Sequence, residues 1–240
     1  MIIDGKKIAE EILGELKGSY KLGVIMNLSS PASDSFVKMK ERAAVRAGMQ
    51  IVRYGPEDID KALLCDGVLV QLPIANAEEL IAAIPPQKDV DALGPHALVQ
   101  SPIAEAISEI FIRAGVAAKG KKAVVVGKGR LVGAPAAELL RSLGAQVVVI
   151  TKPEGSLEEL QDADIVVLGA GKPGIIGPDM VKEGVVLIDA GTSEAGGKLM
   201  GDAEPGLRHV ASVFTPVPGG VGPIAVAMIF KNLAVLAKRK

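Results

Sequence analysis

Hydrophobic positions along the chain follow two different periods, and each period predicts a kind of element. Residues 5–19 carry an apolar side chain about every fourth position among charges, which is typical of an amphipathic helix. Short apolar runs, such as GVLVQLP at 67–73 and QVVVI at 146–150, predict buried strands. Because strand and helix patterns alternate along most of the chain, we expect βαβ units and a parallel sheet.

The other elements follow from the same two periods and from turn residues. Helices are predicted at 35–47, from 56, from 76, and at 102–114, 132–144, 156–163 and 221–237, and strands at 21–26, 49–54, 123–127, 164–171, 185–191 and 211–214. Asn76 with Glu79 three residues later predicts a capping box. We expect an α/β protein of two lobes, residues 1–101 and 102–219; the pattern alone leaves open which lobe receives the last helix.

Composition narrows the class of protein. Apolar residues make up 49% and aromatic residues 2%, so Val, Ile, Leu and Ala must fill the core. A net charge of −1, with acids and bases mixed, argues against a nucleic-acid partner. The start lacks a signal-peptide pattern and no apolar run reaches the length of a membrane span, so we expect a cytoplasmic protein with no membrane partner. The single cysteine and the two isolated histidines predict no metal site.

The run TPVPGGVGP at 215–223 has three prolines and three glycines in nine residues, which excludes a regular helix and a central strand. It is either a connecting turn or a rigid loop that positions a ligand.

A second glycine pattern lies between a predicted strand and a predicted helix. Gly127, Gly129 and Gly133 have the spacing GxGxxxG, which fits a turn that brings a pyrophosphate to a helix N-terminus, and also fits an ordinary tight turn. The next strand ends in Thr151-Lys152 where NAD-specific sites usually carry an acid. Lys152, with Lys128 or Arg130, therefore favours NADP, unless these are ordinary solvated cations.

One helix carries a lysine in its apolar stripe. At about 100° per residue, Lys40 falls between Ala44 and Ala47, on the side that also carries Phe36. Its amine either reaches water at the end of a buried stem or is desolvated, with a lowered pKa that suits proton transfer. Gln71, at the carboxyl end of GVLVQLP, is placed to orient such an amine.

The loop KDVD adds Asp89 and Asp91, which either cap a turn or bind the N–H groups of a ring.

Taken together, these residues resemble the bifunctional methylenetetrahydrofolate dehydrogenase/methenyltetrahydrofolate cyclohydrolase family. The similarity extends over nearly the whole chain and is carried by IIDGKKIA, PAS with FVKMK, GVLVQLP, PPQKDVDAL, VVVGKGRLVGAP, GAGKP, VLIDAG, MGDA and TPVPGGVGPIAVAMI. The resemblance implies a folate-binding catalytic domain at 1–101 and 220–240, to which the last helix returns, and a Rossmann-type NADP-binding domain at 102–219. It also implies tetrahydrofolate substrates in one-carbon metabolism and purine biosynthesis, and a homodimer.

The resemblance also assigns roles to residues. Its catalytic lysine, glutamine and aspartate fall on Lys40, Gln71 and Asp91. Substrate binding is implied for Phe36, Gln71, Leu72, Pro73, Asp91, Pro218, Gly219 and Gly220. Cofactor binding is implied for Gly127, Lys128, Gly129, Arg130, Val132, Gly133, Thr151, Lys152, Ala170, Gly171, Gly191 and Thr192.

Several positions depart from the family pattern. Phe36 stands where the family has tyrosine, and Ala92 where it has a glycine. Phe36 leaves open a dehydrogenase with weak or no cyclohydrolase activity, and Phe36 with Gly129 leaves open a protein that binds folate or nucleotide without turnover. A third alternative is another two-lobed dehydrogenase of the shikimate or amino-acid type, which shares the GxGxxxG turn.

Overall fold

The computed structural model describes residues 1–151, 157–195 and 198–239, and the chain forms two compact units. The first unit consists of Ile8–Pro102 with Val226–Lys240, and the second consists of Met1–Lys7 with Ile103–Ala225. Each unit has a parallel sheet with helices, so the predicted α/β class is confirmed.

The first unit is built on a three-stranded parallel sheet in the order β2-β1-β3. Its strands are β1 Lys21–Ile25, β2 Gln50–Tyr54 and β3 Gly67–Val70. Its helices are α2 Pro31–Arg46, α3 Ile59–Ala62, α4 Ala77–Ala83 and most of α1 Gly5–Glu15. The segment around Asp89 extends this sheet, because it pairs in parallel with Val68 on the free side of β3. Loops that follow β1, β2, β3 and this segment therefore lie at one carboxyl edge.

The final helix completes the core of the first unit. α7 spans Val221–Ala237, and its Phe230 and Leu233 pack in one buried cluster with Ala9 and Leu13 of α1. The buried Asn232 donates from Nδ2 to the carbonyl oxygens of Val90 (3.0 Å) and Gln100 (2.9 Å). The predicted return of the last helix to the first lobe is confirmed.

The second unit carries a five-stranded parallel sheet in the order β10-β7-β6-β4-β5. Its strands are β4 Lys122–Val126, β5 Gln146–Ile150, β6 Ile165–Leu168, β7 Val186–Asp189 and β10 Val213–Phe214. Its helices include α5 Pro102–Ala114 and α6 Gly133–Ser142. The chain leaves β4 for β5 on one side and returns to β6 on the other, so the order of strands switches at β4. Open α/β sheets bind ligands at the carboxyl edge of such a switch point.

Some predicted element boundaries and types are wrong. α2 begins at Pro31, one turn before the predicted start at 35, because proline is tolerated in a first helical turn, where its missing N–H is not needed. Residues 157–162 form a 3₁₀ helix instead of an α-helix. Asn76 precedes α4 with φ 55° and makes no side-chain cap, so the predicted capping box is absent.

A short antiparallel hairpin was not predicted: β8 Ser193–Ala195 pairs with β9 Lys198–Met200. Two glycines separate these strands in the sequence, and Gly-Gly between short strands is a hairpin signal that could have been used.

Across the parts of the chain that the structure describes, every helix falls short of the length and apolarity that crossing a bilayer demands. In the same ranges, no group of three or more acidic, histidine or cysteine side chains is arranged to hold a metal ion.

Candidate active site

Lys40 lies on the buried face of α2. Val37, Ala44 and Ala47 share that face and are 5% exposed or less, while Lys40 itself is 9% exposed. The apolar stripe inferred from the sequence is therefore correct for Lys40. Phe36 lies beside the stripe at 36% exposure, and Val37 takes the buried place instead. Since so little of Lys40 reaches water, the desolvated amine is the alternative that the structure supports.

Gln71 meets this amine directly. Its backbone N–H donates to the Ile25 carbonyl oxygen (2.8 Å), which continues the sheet past the end of β3. Its side-chain Nε2 donates to the Leu72 carbonyl oxygen (2.9 Å), and its Oε1 accepts from Lys40 Nζ (2.8 Å). A carbonyl can only accept, so the Leu72 contact fixes the amide with its oxygen toward the lysine. Gln71 therefore orients the amine of Lys40.

The two aspartates of the KDVD loop have different surroundings. Asp89 is 4% exposed, and its carboxylate accepts from the backbone N–H groups of Asp91 (3.3 Å) and Gly94 (2.7 Å). Asp89 thus shapes the loop, which is the turn-capping role that sequence analysis left open. For Asp91, by contrast, no side-chain hydrogen bond is found among the described residues.

Lys40 and Asp91 are close enough to influence each other electrostatically. Burial lowers the pKa of the Lys40 amine below its ordinary 10.5, and the charge of Asp91 opposes this shift. Burial raises the pKa of Asp91 to about 6, the charge of Lys40 acts against the rise, and Asp89 adds to it. An acid and a base with pKa values moved toward neutrality are typical of catalytic sites. Burial thus makes the neutral form of the Lys40 amine and the protonated form of the Asp91 carboxyl easier to reach than in water.

Two features of the backbone lie next to these residues. Leu72 and Pro73 directly follow Gln71 and are joined by a cis peptide bond. Ala92 has φ 54°, in the left-handed region that favours glycine, and it follows Asp91. The family's glycine at this position thus has a physical reason, and alanine keeps the same backbone at a cost of about 1 kcal/mol.

An open cavity of about 330 Å³ lies at the same carboxyl edge of the first unit. It is lined by Asn27, Leu28, Ser29, Gly55, Pro56, Glu57, Ile74 and Ala75. None of the predicted catalytic residues, Lys40, Gln71 and Asp91, is among these lining residues.

The glycine turn of the second unit connects β4 to α6. Gly127 has φ 108°, and a side chain there would meet the Gly169 carbonyl oxygen at 2.4 Å. A side chain at Gly133 would meet the Gly127 carbonyl oxygen at 2.0 Å, so the strand and helix can approach this closely only with glycine. Among the described residues, no atom outside Gly129 and its two chain neighbours lies within 4 Å of the position that a Cβ would take there. The turn is thus closely packed at Gly127 and Gly133 and open at Gly129, which is the arrangement that a pyrophosphate site requires.

The other predicted cofactor residues follow neighbouring strands of the same sheet. Thr151 follows β5, Ala170 and Gly171 follow β6, and Gly191 and Thr192 follow β7. Because all five strands are parallel, these positions share the carboxyl edge with the glycine turn. Lys128, Arg130 and Val132 belong to the turn itself, and Lys152 lies outside the described residues.

Pro218, Gly219 and Gly220 belong to the second unit, whereas Lys40, Gln71 and Asp91 belong to the first. The start of α1 packs against these glycines: Gly5 N–H donates to the Gly219 carbonyl oxygen (2.9 Å). A side chain at Gly5 would meet the Gly220 carbonyl oxygen at 1.8 Å, so the contact requires glycine. This role of Gly5 was not predicted, although the motif IIDGKKIA contains it.

Fold and sites together define a two-domain α/β protein, in which the first unit carries a buried lysine and the second unit carries a glycine turn of the dinucleotide-binding type. Residues 3–91 match the family model described as the tetrahydrofolate dehydrogenase/cyclohydrolase catalytic domain, and residues 101–240 match that of its NAD(P)-binding domain. The chain belongs to the tetrahydrofolate dehydrogenase/cyclohydrolase family. The predicted family and the nicotinamide-dinucleotide cofactor class are thereby confirmed.

Individual relatives are similar to this chain over nearly their full lengths. The protein of Halothermothrix orenii named bifunctional protein FolD is 38% identical and matches over 96% of this chain and 95% of its own. The crystal structure of the FolD methylenetetrahydrofolate dehydrogenase/cyclohydrolase of Campylobacter jejuni superposes with a TM-score of 0.93 at 28% identity, covering 100% of this chain and 99% of that one. The Trypanosoma brucei FolD, solved with NADP cofactor and an inhibitor, gives 0.91 at 29% identity, covering 100% and 97%.

One buried polar cluster in the second unit was not predicted from the sequence. Asp189, Asp202 and Thr215 are each 2% exposed or less. The motifs VLIDAG, MGDA and TPVPGGVGP contain them, and a buried acid after a strand is the signal that could have drawn attention to them.

Proposed function

We propose that this chain oxidises 5,10-methylene-tetrahydrofolate to 5,10-methenyl-tetrahydrofolate with NADP and hydrolyses that product to 10-formyl-tetrahydrofolate. The observation that carries the proposal is the buried Lys40 amine, 2.8 Å from Gln71 Oε1 and within electrostatic reach of Asp91. Membership of the family supports both activities and disfavours the alternatives of a dehydrogenase alone, a protein that only binds, and a shikimate-type enzyme.

For the first reaction, NADP⁺ when bound supplies the acceptor for the hydride that leaves the methylene carbon. We assign its binding to Gly127, Lys128, Gly129, Arg130, Val132, Gly133, Thr151, Lys152, Ala170, Gly171, Gly191 and Thr192. The fit rests on the open space at Gly129 beside a turn that only glycine allows at Gly127 and Gly133. In this step the protein contributes orientation and the exclusion of water.

In the second reaction water adds to the methenyl carbon, the bond from that carbon to N5 breaks, and N5 takes up the remaining hydroxyl proton. Lys40 takes a proton from the attacking water, which requires the amine to be neutral; burial favours that form by lowering its pKa. Gln71 holds the amine through Oε1, and its own orientation is held by the Leu72 carbonyl. This chemistry uses no hydroxyl at position 36, so we expect Phe36 to be compatible with cyclohydrolase activity.

Asp91 has a carboxylate that suits the N–H groups of a pterin ring. An ionised carboxylate accepts two such bonds, and charge-assisted bonds are stronger than neutral ones. We assign substrate binding to Asp91 and Gln71 and, with them, to Phe36, Leu72, Pro73, Pro218, Gly219 and Gly220.

In this proposal residues 1–101 and 220–240 form the folate-binding catalytic domain, and residues 102–219 form the NADP-binding domain.

We also propose that the enzyme is a cytoplasmic homodimer that works without nucleic-acid or membrane partners. The mixed charges of the chain and its resemblance to the family support this proposal. Sedimentation of the purified chain tests the dimer, and fractionation of cells that express the chain tests the cytoplasmic location.

The function itself is tested by offering methylene-tetrahydrofolate with NADP⁺ and, separately, with NAD⁺. Absorbance is expected to show methenyl-tetrahydrofolate appearing and then decaying, faster with NADP⁺. No methenyl product with either dinucleotide would refute the dehydrogenase assignment, and a product that never decays would refute the cyclohydrolase. Faster turnover with NAD⁺ would refute the NADP preference alone.

A further inference from the structure

Asp202 in the second unit is fully buried and bonds the loop that follows β6. Its Oδ2 accepts from the backbone N–H groups of Ala170 (2.6 Å) and Gly171 (3.1 Å), and its Oδ1 accepts from that of Lys172 (2.7 Å). One carboxylate thus bonds three successive N–H groups. Two of these belong to residues that we assign to cofactor binding.

Asp189, at the end of β7, makes the equivalent set of contacts. Its Oδ1 accepts from the backbone N–H groups of Gly191 (3.0 Å) and Asp202 (3.2 Å), and its Oδ2 accepts from that of Ala203 (2.9 Å). Its backbone N–H donates to the Thr215 hydroxyl (2.7 Å), which in turn donates to the Asp189 carbonyl oxygen (3.2 Å). The two carboxylates therefore link the loops that follow β6 and β7 to residues 202 and 203, and the Asp189 backbone adds the link to Thr215 after β10.

Glycine makes room for both carboxylates. A side chain at Gly191 would meet Asp202 Cγ at 2.2 Å, and one at Gly201 would meet Asp189 Oδ2 at 2.1 Å. The Asp202 carboxylate therefore occupies the space that a side chain at position 191 would need. The Asp189 carboxylate likewise occupies the space that a side chain at position 201 would need. The packing leaves neither loop free to shift without losing hydrogen bonds.

Backbone donors compensate for the burial of these acids. Burial raises the pKa of Asp189 to about 6, and N–H donation from Ala203, Asp202 and Gly191 acts in the opposite direction. A buried carboxylate without such donors would be costly, and a donor left without its acceptor costs about 1–3 kcal/mol. The buried carboxylates need the loop N–H groups as donors, and these N–H groups need the carboxylates as acceptors. The loops are therefore held in one conformation.

We propose that Asp202 and Asp189 are positioning residues for the dinucleotide: they fix residues 170–172 and 189–191 in their binding conformation before NADP arrives. The inference rests on the proposed function, since that function assigns these loops to the cofactor. Loops that are ordered before binding lose less conformational entropy when the dinucleotide binds. The affinity for the dinucleotide is therefore expected to fall when that order is lost.

The variant Asp202→Asn tests this proposal. Both carboxylate oxygens are in use, and an amide offers only one acceptor, so either orientation leaves at least one loop N–H without a partner. We expect the Kd for NADP, measured by titration, and the KM for NADP to rise roughly 10- to 100-fold. The hydrolysis of added methenyl-tetrahydrofolate needs no dinucleotide and is expected to stay nearly unchanged.

Asp164→Asn is the matched control in the same unit. Asp164 precedes β6, and its Oδ2 accepts from the Lys122 N–H (3.0 Å) at the amino edge of the same sheet. Its Oδ1 also pairs with Lys182 Nζ (2.7 Å). This control is expected to lower the thermal stability and to leave the Kd for NADP unchanged.

Different results would overturn different claims. A wild-type Kd for NADP in Asp202→Asn overturns the inference, and so does an equal loss of cofactor binding and methenyl hydrolysis, which indicates a general structural role. A wild-type chain that binds NADP tightly but oxidises no methylene-tetrahydrofolate refutes the proposed function, while the Kd comparison still decides the inference.

Hydrogen exchange on the wild-type chain keeps the test valid if the variant does not fold. Without dinucleotide, the amides of residues 170–172 and 191 are expected to exchange at least about 100-fold more slowly than unprotected amides. Exchange at the unprotected rate would show that the loops are not fixed before the cofactor binds, and would overturn the inference.

Discussion

Replacing Lys40 with methionine is expected to lower cyclohydrolase kcat by roughly 10²- to 10⁴-fold, the range that a positioned general base contributes. Methionine has a similar unbranched stem, so it fits the buried face of α2 and removes only the amine. Hydride transfer does not require this base, so the oxidation of methylene-tetrahydrofolate is expected to remain measurable. Methenyl-tetrahydrofolate should then accumulate instead of decaying, and its absorbance reports both rates in one assay.

Lys38→Met is the matched control, because Lys38 lies two residues earlier on α2 with a side chain 61% exposed and paired with Asp34 (2.7 Å). It removes the same charge from the same helix and is expected to leave both activities unchanged. Equal retention of both activities in Lys40→Met would remove Lys40 from the mechanism.

Asp91→Ala is expected to raise the KM for methylene-tetrahydrofolate roughly 10- to 100-fold, with little change in the KM for NADP. The reason is that the substituted side chain can no longer accept the charge-assisted hydrogen bonds that we assign to the pterin, each of which contributes about 1.5–3 kcal/mol. Initial rates measured while one substrate is varied and the other is saturating separate the two constants.

Asp66→Ala serves as the control for this substitution. Asp66 also belongs to the first unit, but its Oδ2 accepts from the Lys21 N–H (2.9 Å) at the amino end of β1. The free energy of unfolding is expected to fall in this control while both KM values stay the same. An unchanged folate KM in Asp91→Ala would show that the pterin is bound by another group.

Periodicity was sufficient to predict the parallel sheets and to place Lys40 in an apolar stripe. The stripe follows from local geometry, because Lys40, Ala44 and Ala47 lie on one helix face wherever that helix packs. Gln71 was reached by a weaker argument, that ligands bind at the carboxyl end of parallel strands, and Asp91 was chosen between two roles only through the resemblance to the family. The distance from Lys40 Nζ to Gln71 Oε1 depends on how α2 packs on the sheet, and no pattern along the chain contains that information.

The features that were missed depend on contacts between distant segments. Asp202 bonds N–H groups about thirty residues earlier in the chain, and backbone donors leave no mark on side-chain patterns. The start of α2 at Pro31 was missed because proline and serine usually indicate turns. Phe36 was placed in the buried stripe because a large apolar residue fits that pattern, although Val37 occupies it.

The ionisation of Lys40 tests the central claim most directly. If burial lowers the pKa of this amine, it loses its proton at a lower pH than an ordinary lysine, at 10.5, and is neutral more often at neutral pH. Between the lowered pKa and 10.5 the unfolded chain binds more protons, so this group makes the folded state more stable as pH rises through that window. Protein labelled with ¹³C at lysine Cε can be titrated by NMR, and the Lys40 signal is the one that Lys40→Met lacks. The account predicts a midpoint clearly below 10.5, and a midpoint at or above that value would contradict it.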